Sequence, residues 1–289
     1  MRSREWAVVS VALLPLLGPG VLGSGPAGDR LPAVTHVTSP ADRAEVAAAA
    51  VAAGSLQRPY VLKAFAAGHS VDEVVRFASL IRGRKPMWLR THLNLVDPDG
   101  SWLVTYHAAL VRQVDNTTCG STVILMARAI ADPIYAFSLT SGGSGDRAAA
   151  TTDQFEARLG AEEQRIHDAT NTIWPKKFGT TPSGVAAELN RYAGALGTRY
   201  DAQLVGRHGQ VLRNAVTAAR SGLPVPVLIG DWLPRHYVLL IGVDSEGLLF
   251  YEPDQATLIR VGVQDFLDGK ADALGFPHVQ AVIAPVRTG

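Results

Sequence analysis

The sequence predicts an α+β fold, helices first and an antiparallel sheet after them, on three observations. From Ser39 to about residue 194 apolar residues recur at helical spacing between capping residues. Beyond residue 222 they gather in short β-branched or apolar runs separated by turn residues. The change of character falls near residue 197, so the two kinds of element are segregated and do not alternate. A chain of 289 residues that is 47% hydrophobic can bury one large core or two modest ones. Its formal charge of +1, without a long basic run, lacks the electrostatic footprint that grips a nucleic-acid backbone, so nucleic acid is not an expected partner.

The chain opens "MRSREWAVVSVALLPLLGPGVLGSGPAG", with Arg2 and Arg4 ahead of an apolar stretch from Trp6 to Leu17 and small residues after it. That is the grammar of a secretory signal over residues 1–27, cut after Gly23 or Ala27, and it predicts a protein secreted or held in the cell envelope. A retained anchor needs about 20 apolar residues in a row. Pro15, Gly18, Pro19 and Gly20 interrupt this stretch, so no stable membrane span is expected after cleavage. No cysteine follows it to carry a lipid.

Residues 28–104 read as a helical lead-in. "SPADRAEVAAAAVAAGS" has Ser39 as N-cap, Pro40 at the first helical position and Gly54 as stop. "SVDEVVRFASLIRG" opens on Ser70 with acids in its first turn and ends at Gly83. The lead-in is a pro-segment, a cap over the site or part of the main fold. Pro98-Asp99-Gly100 then predicts a turn between extended stretches. "STVILMARAIA", 121–131, is apolar nearly all round and predicts a helix buried in a core. "TSGGSGDRAAATTD" reads as a loop, and helices are expected near 152–169 and 182–194, separated by a segment that Pro175, Gly179 and Pro182 punctuate. "HGQVLRNAVTAARSG" is a helix closed by Gly222. "PVPVLIG", "RHYVLLIGV", "GLLFYE", "ATLIRVGV" and "VQAVIAPV" are consecutive strands, with Ser245-Glu246-Gly247 as a three-residue hairpin loop. Residues 105–289 are the expected main domain.

The only cysteine, Cys119, sits in "DNTTCG". An exported chain with one thiol has no internal disulfide, which leaves a buried inert side chain, a link between two chains, or a nucleophile. Thr117 and Thr118 are N-cap candidates, which places Cys119 in the first turn of the buried helix. Unpaired N–H groups and the positive end of the helix dipole favour a thiolate there.

A thiolate nucleophile works with a histidine, and the histidine with a third polar group that orients its ring. Of eight histidines, His236 stands at the start of a predicted strand after Gly230, Asp231 and Pro234, where its ring projects from the sheet edge. His36, His69, His107, His208 and His278 have no comparable companions in sequence, and His92 and His167 read as surface residues. Glu252 and Asp254 fall on the face of His236 when the next strand returns past it, and either can accept the ring N–H. Gln113, six residues before Cys119, can direct its amide N–H groups at a developing oxyanion together with the Cys119 backbone N–H. Tyr60, Trp88, Trp102 and Trp174 read as core, whereas Trp232, just before His236, is placed to shield it.

Taken together, "QVDNTTCGSTVILMARA" and "GLPVPVLIGDWLPRHYVLLIGVDSEGLLFYEPD" resemble the papain-like cysteine peptidases, and among them the bacterial bacteriocin-leader-processing branch. The shared pattern is a Gln six residues before a Cys-Gly at a helix start, a later helix ending in Gly-x-Pro-Val, a strand opening on His, and a strand ending in Asp-Pro sixteen residues on. The resemblance covers about residues 110–285. It implies a papain-like fold, a helical half carrying the cysteine against a sheet carrying the histidine. It also implies Cys119 as nucleophile, His236 as general acid/base, Gln113 in the oxyanion hole and a peptide or peptide-like amide as substrate. One departure is that Glu252 stands where the pattern has Asp before Pro253; the pattern's register favours Glu252, and a residue count across the hairpin favours Asp254.

The expected reaction is acyl transfer to water, with an amine-accepting acyltransferase and an inactive binding protein of the same fold as the competing functions. No clustered metal-ligand spacing and no phosphate-binding Gly-rich loop occurs, so no cofactor is expected. The Asn116-Thr117-Thr118 glycosylation match, three residues from Cys119, is read as chance.

Overall fold

The computed structural model describes residues 39–96, 101–146, 148–171, 179–206 and 209–286. The signal sequence, the Pro98-Asp99-Gly100 turn, Trp174, His36 and His208 lie outside those residues. Helices α1 (Pro40–Ala53), α2 (Arg58–Ala66), α3 (Val71–Ile81) and α4 (Pro86–Leu93) come first, followed by a short ribbon of β1 (Thr105–Tyr106) and β2 (Ala109–Leu110). Next are α5 (Cys119–Ala131), α6 (Pro133–Ser141), α7 (Thr152–Thr170), α8 (Pro182–Arg191) and α9 (Ala193–Leu196). The last part contains β3 (Tyr200–Leu204), α10 (Gln210–Arg220), β4 (Val225–Gly230), β5 (Pro234–Val243), β6 (Leu248–Glu252), β7 (Thr257–Val261), α11 (Val263–Leu267) and β8 (His278–Pro285). The fold is mixed α+β. No single helix among the described residues is long and apolar enough to cross a membrane.

The six-stranded sheet runs in the order β3-β8-β4-β5-β6-β7, every pair antiparallel. Alternation along each strand feeds two cores. In β5, Tyr237 and Leu239 join the core built on α5, whereas Val238 and Leu240 join the one under α10. Helix α5 is buried along nearly its whole length, which explains why its sequence is apolar all round.

Ser39 and Ser70 each close a capping box, as their sequences predict. The expectation misses α2, α4 and α6, although each carries a proline in its first turn, Pro59, Pro86 and Pro133. Helix α4 runs up to Leu93, the described residues 94–96 of the extended stretch expected ahead of residue 98 form no strand, and the two-residue strands β1 and β2 follow. Strand β3 escapes because it is a sheet edge: Leu204 is exposed and Asp201 faces solvent, so no apolar alternation marks it.

The β5–β6 hairpin also differs from the residue count. The Asp244 N–H donates to the Gly247 carbonyl at 2.9 Å, leaving a two-residue loop of Ser245 and Glu246 where three residues were expected. A bulge between Leu240 and Gly242 then shifts the register by one. Gly247 has φ 143, and a Cβ there would lie 2.5 Å from the Val261 carbonyl oxygen, so the turn requires glycine.

Helices α1 to α4 pack round an apolar cluster shared with Phe137 of α6. His69 has a companion that the sequence hides: its Nε2 lies 2.9 Å from Asp132, which also N-caps α6 through the Ile134 and Tyr135 N–H groups. Lys63 donates to the Ile130 carbonyl, and burial pushes its ammonium down to about 8 against the opposing pull of Asp132. These ties fall at the far end of α5 from Cys119. These ties of the helical part of the lead-in therefore lie away from the thiol, whereas Val104 donates its N–H to the Ala256 carbonyl in the turn after Glu252. His92 is buried on α4, stacked on Trp88 at 4.2 Å, and His167 is buried on α7, so neither is a surface residue.

Two hydrogen bonds join the segment before α5 to the end of β6. The buried Tyr251 hydroxyl donates to the Val111 carbonyl at 2.6 Å, and the Gln113 N–H donates to the Pro253 carbonyl at 2.8 Å. Replacing Tyr251→Phe leaves a buried carbonyl without its donor. Urea unfolding of that variant is expected to show a loss of about 1–3 kcal/mol.

Candidate active site

Helix α5 begins at Cys119, and its N-cap Thr118 makes no side-chain hydrogen bond to the first-turn N–H groups. The Thr118 hydroxyl is engaged with the loop instead, accepting from the Asp115 N–H and donating to the Asp115 carbonyl. Asp115 in turn accepts from the Thr117 N–H and hydroxyl at 2.7 Å each. The loop is thus tied to itself, and the helix dipole is left facing the thiol without a competing cap.

Gly120 explains how this helix end reaches the sheet. A Cβ at that position would lie 2.9 Å from Thr180 Cβ and 3.4 Å from a Tyr237 ring carbon. A larger residue would force either Thr180 or this helix start to shift, beside β5, the strand that carries His236.

The His236 ring is held on both sides. Its Nε2–H donates to Glu252 Oε1 at 2.6 Å, and the Cys119 side chain is close enough to favour the charged ring. Burial alone would lower the ring's pKa. The Cys119 and Glu252 hydrogen bonds and charges outweigh it and raise the value to about 9. Phe276 lies against the ring at 6.2 Å between centroids. The side chains of His236 and Glu252 are 13% and 8% exposed, so water screens their pairing little.

Glu252, not Asp254, orients the histidine. Continuing the Leu239–Tyr251 pairing toward the start of β5 sets position 254 opposite His236, which is why a count favours Asp254. But β6 ends at Glu252, and the chain turns through residues 253–256, leaving Asp254 exposed. Glu252 sits on the diagonal, and its extra methylene spans that offset. Asp254 contributes its backbone: its N–H donates to Glu252 Oε1 at 2.9 Å, and the Gln255 N–H donates to Oε2 at 2.8 Å. Burial would raise the Glu252 pKa, but His236 and these two N–H groups reverse it and hold the carboxyl below its usual range.

Gln113 is buried, and its Oε1 has no hydrogen-bond partner. Its backbone is anchored to the turn that follows Glu252, while the next residue, Val114, donates its N–H to Glu163 of α7 at 2.9 Å. Consecutive amides thereby fasten this segment to both the sheet and the helical layer. Tyr237 is buried with its hydroxyl unpartnered, and burial, with the charge of Cys119 adding to it, drives its phenol far above the ordinary value. Trp232 is 94% exposed, so it does not shield the His236–Glu252 pair. Trp88 joins the lead-in packing, whereas Trp102 is exposed under the Arg260 guanidinium.

Sequence reasoning missed Thr180, whose only signal is the glycine it packs against, and Glu163, which stands in the charged run "EEQR" and reads as a solvent face. Among the described residues no group of three His, Cys, Asp or Glu side chains is arranged to hold a metal ion.

The pH dependence of the pair follows from these shifts. The raised His236 pKa contributes stability that is fully present below the ordinary 6.5 and lost as pH rises through about 9. The lowered Glu252 pKa contributes stability present above 4.5 and lost as pH falls. An NMR titration of the His236 ring is expected to centre near 9 in the wild-type protein. The midpoint should fall in Glu252→Gln and stay in place in Asp254→Asn.

No protein-family model matches this chain, and a search of curated proteins finds no match.

Proposed function

We propose that this protein is a papain-like cysteine hydrolase, a peptidase or amidase akin to the bacteriocin-leader-processing branch, and that it acts outside the cytoplasm. The observation that carries the reading is the chain of contacts from Cys119 at an uncapped helix start, through His236, to Glu252 at 2.6 Å. One imidazole, itself held by Glu252, and an N-terminal dipole converge on one thiol, whereas an inert buried cysteine has no use for such a set. The N-terminal signal grammar supports export.

The chemistry runs in two halves. The Cys119 thiolate attacks the amide carbonyl carbon, an S–C bond forms, and the π pair moves to oxygen. The first-turn N–H of α5 and the Gln113 amide bind that oxyanion. As the C–N bond breaks, the His236 imidazolium gives its proton to the leaving amine, and a thioester remains. Neutral His236 then takes a proton from water, the hydroxide adds to the thioester carbonyl, and the C–S bond breaks. The acid departs and the thiolate–imidazolium pair returns. Glu252 holds the ring in line and stays ionised throughout.

A mixture of peptides incubated with the wild-type protein and read by mass spectrometry is expected to yield hydrolysed fragments. Cys119→Ala and His236→Ala should abolish them. Gln113→Ala should lower kcat by about 100- to 1,000-fold with little change in KM, because the oxyanion exists only along the reaction path. Cleavage that persists in Cys119→Ala would falsify the assignment. Amine-linked products in place of acids would move it to acyl transfer.

A further inference from the structure

Behind the loop that presents Cys119 lies an acid that the proposed mechanism does not use. Glu163 projects from α7, is fully buried, and accepts the Val114 N–H at Oε2. Thr118 and Thr122 of the nucleophile helix flank the same carboxyl. Both hydroxyl protons are committed elsewhere, Thr118 to the Asp115 carbonyl and Thr122 to the Thr118 carbonyl at 2.9 Å. Glu163 Oε1 is accordingly left with no donor. That pattern fits a protonated carboxyl: Oε2 accepts the Val114 amide, and Oε1 carries a proton in place of an unsolvated charge. A bare carboxylate would leave its charge on an oxygen that nothing solvates.

We propose that Glu163 is a positioning residue of the site, holding the Val114 amide and the start of α5 so that the run from Gln113 to Cys119 keeps its geometry. The inference rests on Cys119 being a nucleophile, as proposed above. Val114 joins Gln113 to the loop, and the Gln113 N–H is pinned to Pro253 beside the acid of the dyad. Losing the Glu163 contact frees the other side of the same segment. The titration follows the packing: burial pushes the Glu163 carboxyl up to about 7, outweighing the Val114 N–H that pulls it down, and Asp115 adds to the rise. The other titratable groups nearby are Tyr251 of β6, whose phenol Glu163 helps raise, and His167, one turn further along α7.

Glutamine keeps the shape, the acceptor and the donor of the neutral acid, and leucine keeps only the volume. Alkylation of Cys119 by iodoacetamide near neutral pH, in which the sulfur displaces iodide, measures the thiol directly. Glu163→Leu is expected to slow it by about 10- to 100-fold, and Glu163→Gln to restore nearly the wild-type rate. In the wild-type protein the Val114 amide resonance should move with the Glu163 carboxyl carbon as pH is varied. The proposal is overturned by a leucine variant that alkylates at the wild-type rate, or by a glutamine variant as slow as leucine. A Val114 amide that stays still through the Glu163 titration also overturns it, and that reading decides the matter if the leucine variant does not fold. Slow alkylation of the wild-type protein, unchanged in His236→Ala, removes the proposed function and this inference together. Fast, His236-dependent alkylation with an unaffected leucine variant removes this inference alone.

Discussion

The site depends on how closely the first turn of α5 approaches the sheet. Gly120 permits it, because a side chain there would collide with Thr180 Cβ at 2.9 Å and with the Tyr237 ring. Helix α5 is enclosed by β5 and β4 and by α6, α7 and α8, so it cannot rotate to relieve such a clash without disturbing a core of fully buried residues such as Ile124, Leu125 and Met126. The hydrogen bond between Cys119 and His236 is therefore a product of core packing. Its tolerance is set by one missing methyl group.

Around that contact the chain arranges opposite electrostatic environments on neighbouring elements. At the end of β6, Glu252 receives two backbone N–H groups and an imidazole, which favours its charge despite burial. On α7, Glu163 receives one backbone N–H and no hydroxyl proton, which favours its neutral form. Two glutamates equally hard to tell apart by composition thus shift in opposite directions, Glu163 upward because burial dominates and Glu252 downward because its donors outweigh burial.

The sequence made the frame legible where one local rule dominates. Ser39 and Ser70 announce capping boxes, the β-branched runs announce β4 to β8, and the apolar stretch after Cys119 announces a core helix. Cys119, His236 and Glu252 were legible as candidates because a nucleophile, a base and an orienting acid have few residue types between them. What stayed hidden depends on contacts distant in sequence. His69 meets Asp132 across 63 residues and Val114 meets Glu163 across 49, and no periodicity encodes either. The choice between Glu252 and Asp254 turned on where a strand stops, which a residue count carries past its end.

The placement of the lead-in has a consequence for any maturation step. Its polar ties reach Ile130 and Asp132, and Ile130 lies about 16 Å along α5 from the thiol at 1.5 Å per residue. Excising α1 to α4 would bare Phe137 and its apolar neighbours while leaving the surroundings of Cys119 as they were. Trimming these helices would therefore cost solubility, since the surface they cover is apolar.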